Sequence, residues 1–234
     1  MKYYSTRKKS QKVSFKDAVI RGLAPDGGLY FPERIDKLPE GLIGSGKSIE
    51  ELGFEVAKRF VDGEIKDEEL QKIVSETVNF PLPNVEVEQD VFSLELWHGP
   101  TCAFKDVGGR FLARCLEHFV KKSGEEITIL VATSGDTGSA VAAGFLGVQG
   151  IDVVILYPKG KVSKIQEQQL TTMGQNITTL EVDGTFDDCQ SMVKKAFNDD
   201  QLRKKINLSS ANSINVARFL PQSFYYFSSF EQLE

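Results

Sequence analysis

From residue 127 onward the chain repeats one unit: a short apolar strand, a turn rich in Gly, Ser, Thr or Asp, then a helix. ITILVAT (127–133) precedes TGSAVAAGFLG (137–147), IDVVILY (151–157) precedes SKIQEQQLTTMG (163–174), and NITTLEVDG (176–184) precedes TFDDCQSMVKKAFND (185–199). Apolar runs of this length without alternation suit parallel strands buried on both faces. Their regular alternation with helices predicts an α/β fold, a parallel sheet flanked by helices. Upstream, VFSLELW (91–97) reads as a strand and KDVGGRFLARCLEHFVKK (105–122) as a helix, with Phe111, Cys115 and Phe119 on one line.

Before residue 80 the rhythm is different. FKDAVIRGL reads as a short helix closed by the turn APDGG. ELGFEVAKRFVDG and DEELQKIVSETV read as amphipathic helices, the second with acids in its first turn, where the helix dipole favours them. NFPLPNV (79–85), with two prolines, reads as a linker. Three parts are therefore expected: a small α+β domain over 1–84, an α/β domain over 85–210, and the start of a further domain over 211–234. Pro221 predicts a bend near residue 217 in the last helix.

GLIGSGKS (41–48) satisfies the phosphate-loop pattern G-x-x-x-x-G-K-[ST] at every fixed position. A phosphate loop needs a buried strand before it, and here RIDKLPE precedes it instead. The expected reading is a Gly/Ser turn in which Ser48, three residues before Glu51, caps a helix.

Two other stretches stand in better context. In HGPTCAFKDVGGRF (98–111), Lys105 opens a helix after a strand, among Ala103, Phe104 and Val107. Desolvation there would favour the neutral, nucleophilic amine; a surface lysine is the plain alternative. Gly108 and Gly109 cost about 1 kcal/mol each against alanine in a helix, which argues for close approach of something bulky. In ATSGDTGSAVAAG (132–144), Ser134, Gly135, Thr137 and Gly138 would gather amides and hydroxyls around one point, either an anion site or a plain helix cap. An activated lysine facing an anion hole is what imine chemistry on an amino acid needs.

These stretches, together with ILYPKGKVSKIQ, SSANSINVARFLPQ and the opening YYSTR with VSFKDAVIRGLAPDGGLYFPE, resemble pyridoxal-phosphate enzymes of the tryptophan-synthase-β type (fold type II), and the threonine synthases in particular. The resemblance implies that the cofactor is pyridoxal 5'-phosphate and that Lys105 is its lysine. It implies that Asp136 faces the cofactor's ring hydroxyl, where related enzymes often carry asparagine. It gives the substrate carboxylate to Ser134, Gly135 and Thr137, and the substrate phosphate to Asn212, Ser213 and Arg218. The implied reaction converts O-phospho-L-homoserine and water to L-threonine and phosphate. Other enzymes of the same fold, dehydratases or β-replacement enzymes, and a non-catalytic module are the alternatives. Threonine synthases run to nearly twice this length, and their loop for the cofactor phosphate lies beyond the residues present. The chain is thus expected to be a fragment that binds the cofactor poorly or not at all and is weakly active or inactive, the full-length parent being the enzyme.

Charge and cysteine usage bound the partners. Net charge is −5 with no basic stripe, which argues against nucleic acid. No apolar run of about 18 residues occurs, which argues against a membrane span. The amino terminus has no apolar stretch after its basic residues, so no secretory signal is expected. Three cysteines without a CxxC pair and two histidines argue against disulfides or a metal site, and fit a reducing cytoplasm. His98 reads equally as a ligand contact or a turn cap. Monomer and homodimer both stay open.

Overall fold

The computed structural model describes residues 1–233. The first part is built of β1 (Tyr3–Ser5), α1 (Phe15–Arg21), β2 (Tyr30–Pro32), α2 (Ile49–Val61) and α3 (Asp67–Thr77), with β1 and β2 paired antiparallel. β3 (Asn84–Glu88) and β4 (Val91–Leu94) form an antiparallel hairpin of their own. Then come α4 (Lys105–Ser123), β5 (Ile127–Ala132), α5 (Asp136–Phe145), β6 (Ile151–Pro158), α6 (Lys164–Thr171), β7 (Ile177–Val182), α7 (Phe186–Phe197), α8 (Asp200–Lys205), β8 (Leu208–Ser209), α9 (Val216–Phe219) and α10 (Gln222–Leu233).

The parallel sheet has the order β7-β6-β5-β8. Right-handed crossovers fix what covers it. The chain steps from β5 to β6 to β7 in one direction, which puts α5 and α6 on one face. It then returns past β5 to β8, which puts α7 on the other. The direction reverses between β5 and β8, so the loops after these two strands, residues 133–135 and 210–215, flank the switch point where open α/β sheets take ligands. Full burial on both faces holds for the end of β6, where residues 155–158 are all buried. β5 alternates buried and half-buried positions, and β7 is an edge strand that leaves Leu180 exposed.

α4 is the central helix, burying residues such as Val107, Phe111, Leu112, Cys115 and Phe119. Its glycines explain its position. A Cβ on Gly109 would lie 2.8 Å from the Ala140 carbonyl oxygen of α5, and one on Gly108 would lie 2.7 Å from the Arg218 carbonyl oxygen. The bulky neighbour expected from the sequence is the protein's own backbone, and glycine lets α4 and its neighbours touch.

Residues 79–85 are not a free linker. Leu82 is part of the core, Arg110 donates to the carbonyl oxygen of Glu76 and to Asn79 Oδ1, and Asn84 Nδ2 donates to the Ser229 carbonyl oxygen at 2.7 Å. One cluster of buried residues joins Tyr3, Phe111 and Tyr225. The helix interruption falls at Leu220 and Pro221, between α9 and α10, rather than near 217. Proline lacks the donor that would continue α9.

Candidate active site

Lys105 follows the hairpin strand β4, not a strand of the parallel sheet as its sequence context suggested. It reaches the carboxyl end of the sheet because α4 packs on α5. The loop before it is held from inside the helix. Asp106, 1 % exposed, accepts the Thr101 amide on Oδ2 at 2.9 Å and the Thr101 hydroxyl on Oδ1. A Cβ at Gly99 would come within 2.5 Å of Asp106 Oδ2, so only glycine fits beneath this clamp.

The Lys105 ammonium lies 3.3 Å from Asp136 Oδ2 at the start of α5 and 5.5 Å from the Phe104 ring centroid. Its side chain is 25 % exposed, so it is half-shielded and still reachable. Asp136 is fixed from its other oxygen, which accepts from Gln166 Nε2 at 2.6 Å. The amine is therefore seated against a carboxylate rather than left bare among apolar groups, as the sequence had implied.

The loop between β5 and α5 depends on a residue that the sequence reading passed over. The buried Thr133 hydroxyl accepts the amides of Gly135 (3.0 Å) and Gly138 (2.9 Å) and lies 3.0 Å from the Gly135 carbonyl oxygen. Its place just before the Ser-Gly turn was the available signal, since threonine hydroxyls commonly close such turns. Gly135 takes φ 144°, which favours glycine, and its amide is spent on Thr133. Gly135 is buried. Among the described residues the amides of Asp136 and Thr137 have no acceptor, as the first turn of a helix leaves them. Ser134 is exposed and Thr137 half-buried at the same turn.

Asn212 and Ser213 are exposed in the loop after β8, with the Ser213 hydroxyl 3.3 Å from Asn212 Oδ1. Arg218 is not beside them at the surface. It is 1 % exposed, Nη1 donates to the Ala211 carbonyl oxygen at 2.8 Å, and Nε has no partner among the described residues. Burial pulls its pKa down to about 10, opposed by the charge of Asp106. The structure thus keeps two members of the expected phosphate set exposed and places the third inside, bracing the Asn212 loop against α4. Asn215, not singled out in the sequence, is fully buried; it caps α9 by accepting the Ala217 amide, and Nδ2 donates to the Val19 carbonyl oxygen.

His98 Nε2 sits 2.6 Å from Glu95 Oε2, within its own loop. In GLIGSGKS the amides of Gly44 and Gly46 bind the two carboxylate oxygens of Glu231, at 2.6 and 2.9 Å, and Ser48 forms a capping box with Glu51. The anion at that loop is a side chain of α10. Among the described residues no helix is long and apolar enough to cross a membrane, and no group of three or more His, Cys, Asp or Glu is placed to hold a metal ion.

Comparison with known proteins agrees with this geometry. The profile described as "Threonine synthase N terminus" matches residues 2–78, and "Pyridoxal-phosphate dependent enzyme" matches residues 70–226. A threonine synthase of Escherichia coli is 45 % identical over 238 residues, covering 100 % of this chain and 54 % of that protein. One of Schizosaccharomyces pombe is 43 % identical, covering 97 % and 48 %. The chain spans about half the length of the curated relatives it matches. The crystal structure of the E. coli threonine synthase superposes with a TM-score of 0.91 at 44 % identity, over 100 % of this chain and 55 % of that one. The PLP-bound threonine synthase of Brucella melitensis superposes at 0.92 and 42 % identity, over 97 % and 51 %. With one profile spanning the sheet, the Lys105 helix and the Asn212 loop, and the other covering the residues before them, this chain belongs to the pyridoxal-phosphate dependent enzyme family and carries a threonine-synthase-type N terminus.

Proposed function

We propose that the chain carries the lysine and substrate loops of a threonine synthase, which converts O-phospho-L-homoserine and water to L-threonine and phosphate. The observation that carries this reading is the seating of the Lys105 amine 3.3 Å from Asp136, beside the open α5 amides, in a chain that matches threonine synthases over its whole length. The donor set fits the reactive end of pyridoxal phosphate: a primary amine for its aldehyde, half-shielded and reachable, with a carboxylate fixed next to it. When bound, the cofactor supplies an electron sink that makes the α and β protons of an amino acid removable.

The chain's own groups supply the rest. Lys105 Nζ is the atom positioned to hold the cofactor and to accept and return protons. Asp136, locked by Gln166, orients that amine. The Ser134 and Thr137 hydroxyls and the free α5 amides bind the substrate carboxylate, favoured by the helix dipole. Asn212 and Ser213 meet the substrate phosphate, and Arg218 lends that loop its charge from below. The three free cysteines, one of them exposed, fit a reducing cytoplasm.

The test has two readouts. The chain is mixed with pyridoxal phosphate, reduced with borohydride and mapped by mass spectrometry; the expected adduct is on Lys105 and disappears in Lys105→Ala. Phosphate release from O-phospho-L-homoserine is then followed with the full-length protein. Adduct formation elsewhere overturns the lysine assignment, and release from phosphoserine but not from phosphohomoserine overturns the substrate.

A further inference from the structure

Among the described residues three helices begin with a capping box. In it the cap side chain takes the amide of the third helical residue, whose own side chain reaches back to the cap amide. Two of the three place an acid at that third position, Glu51 in α2 and Asp188 in α7, where the helix dipole favours negative charge. α6 places Gln166 there and forgoes that charge.

The neighbours of Gln166 account for the exception. Its Oε1 accepts the Ser163 amide at 3.3 Å and the Ser163 hydroxyl at 3.1 Å, while Nε2 donates to Asp136 Oδ1 at 2.6 Å. Asp136 Oδ2 in turn holds the Lys105 ammonium at 3.3 Å. The Ser163 N–H can only donate and the Asp136 carboxylate can only accept, so these two partners fix which way the Gln166 amide faces. That amide also rests on the loop after β5: a Cβ at Gly135 would lie 2.5 Å from its carbon, nitrogen and oxygen. A glutamate here would cap α6 equally well, but would set a second negative charge against Asp136.

We propose that Gln166 is a positioning residue for Lys105, acting through Asp136. One amide serves both the cap of α6 and the carboxylate beside the lysine, so the start of α6 and the reactive amine are set together. That double duty is the reason for a neutral amide at a helix position that otherwise favours an acid. The inference rests on the lysine reading above and deepens it.

Gln166→Glu separates the two duties, because it keeps the acceptor for Ser163 and loses the donor for Asp136. It is expected to melt close to the parent temperature, while Lys105 takes up pyridoxal phosphate, trapped by borohydride, about tenfold more slowly. In an Asp136→Ala background the same substitution is expected to change that rate by less than about twofold, since nothing is left for Gln166 to hold. Parent-like uptake in Gln166→Glu overturns the proposal, and so does an equal loss in both backgrounds. A second readout needs no cofactor. Acetic anhydride labels lysine amines, and a lysine held by a carboxylate reacts more slowly than a free one. Labelling of Lys105 is read by mass spectrometry against Lys121 of the same helix. Gln166→Met, which leaves Asp136 without its donor, is expected to raise the Lys105 to Lys121 ratio about threefold. An unchanged ratio overturns the proposal. A parent that forms no adduct on Lys105 removes the cofactor assignment instead, and the acetylation ratio then decides the role of Gln166 by itself.

Discussion

Asp106 holds Thr101 with both oxygens of a fully buried carboxylate, and so closes the loop that delivers Lys105 to the sheet. The same carboxylate is the charge that opposes the burial of Arg218. Removing it leaves a buried amide, a hydroxyl and a guanidinium short of a partner. Asp106→Ala is expected to lower the unfolding free energy by about 3–5 kcal/mol, measured by urea denaturation. Asp106→Asn, which keeps the shape and loses the charge, is expected to cost less than Ala. Equal losses in the two variants would mean that the charge carries the whole contribution and the neutral isostere rescues none of it.

Gly109 makes a sharper test, because two effects oppose each other. Alanine in a helix interior gains about 1 kcal/mol over glycine from propensity. Here its Cβ would meet the Ala140 carbonyl oxygen at 2.8 Å, a backbone atom that cannot rotate away. Overpacking of this kind costs about 1–3 kcal/mol, so after the propensity gain Gly109→Ala is expected to be net destabilising by up to about 2 kcal/mol. A rise in melting temperature would show that α4 and α5 can separate freely.

The repeating strand–helix rhythm and the Ser48 cap were legible because each rests on neighbours in sequence. A cap is decided within three residues, and a buried strand by its own run of apolar side chains. What failed depended on distant partners. The burial of Arg218 rests on α4, over a hundred residues earlier, which supplies the glycine that lets it pack inside. VFSLELW reads as a sheet strand, yet it pairs only with the adjacent β3. The glycines of α4 announced a close approach without naming which backbone approaches. Thr133 was hidden by its location, a buried hydroxyl inside a turn whose exposed members drew the attention.

The acid limb of stability is expected to owe part of its slope to Asp26. Its carboxylate accepts the Ser5 hydroxyl first of all, then the Gly28 and Lys9 amides, and its pKa is lowered from 3.8 to about 2. A carboxylate depressed in the folded state contributes stability that is full above its unfolded pKa and lost as pH falls through the folded one. That window runs from 3.8 down to about 2. Asp26→Asn is expected to flatten the melting-temperature profile across this window while leaving a constant offset at neutral pH. An unchanged slope would remove Asp26 from the account.

The GLIGSGKS loop separates a nucleotide site from an internal latch. Its Gly44 and Gly46 amides point at one carboxylate, Glu231 on α10, and α10 packs on α2, the helix that the same loop opens. Two charge-assisted bonds at a half-buried position are worth more than neutral ones. Glu231→Gln keeps one acceptor and removes the charge, and is expected to cost about 1 kcal/mol, with a smaller difference from the parent at high salt. A true phosphate loop makes the opposite forecast. Freed of Glu231, it would take a nucleotide triphosphate, and ATP with magnesium would raise the melting temperature of Glu231→Ala. The latch predicts no such rise, because no buried strand positions the loop and Ser48 is already committed to its capping box.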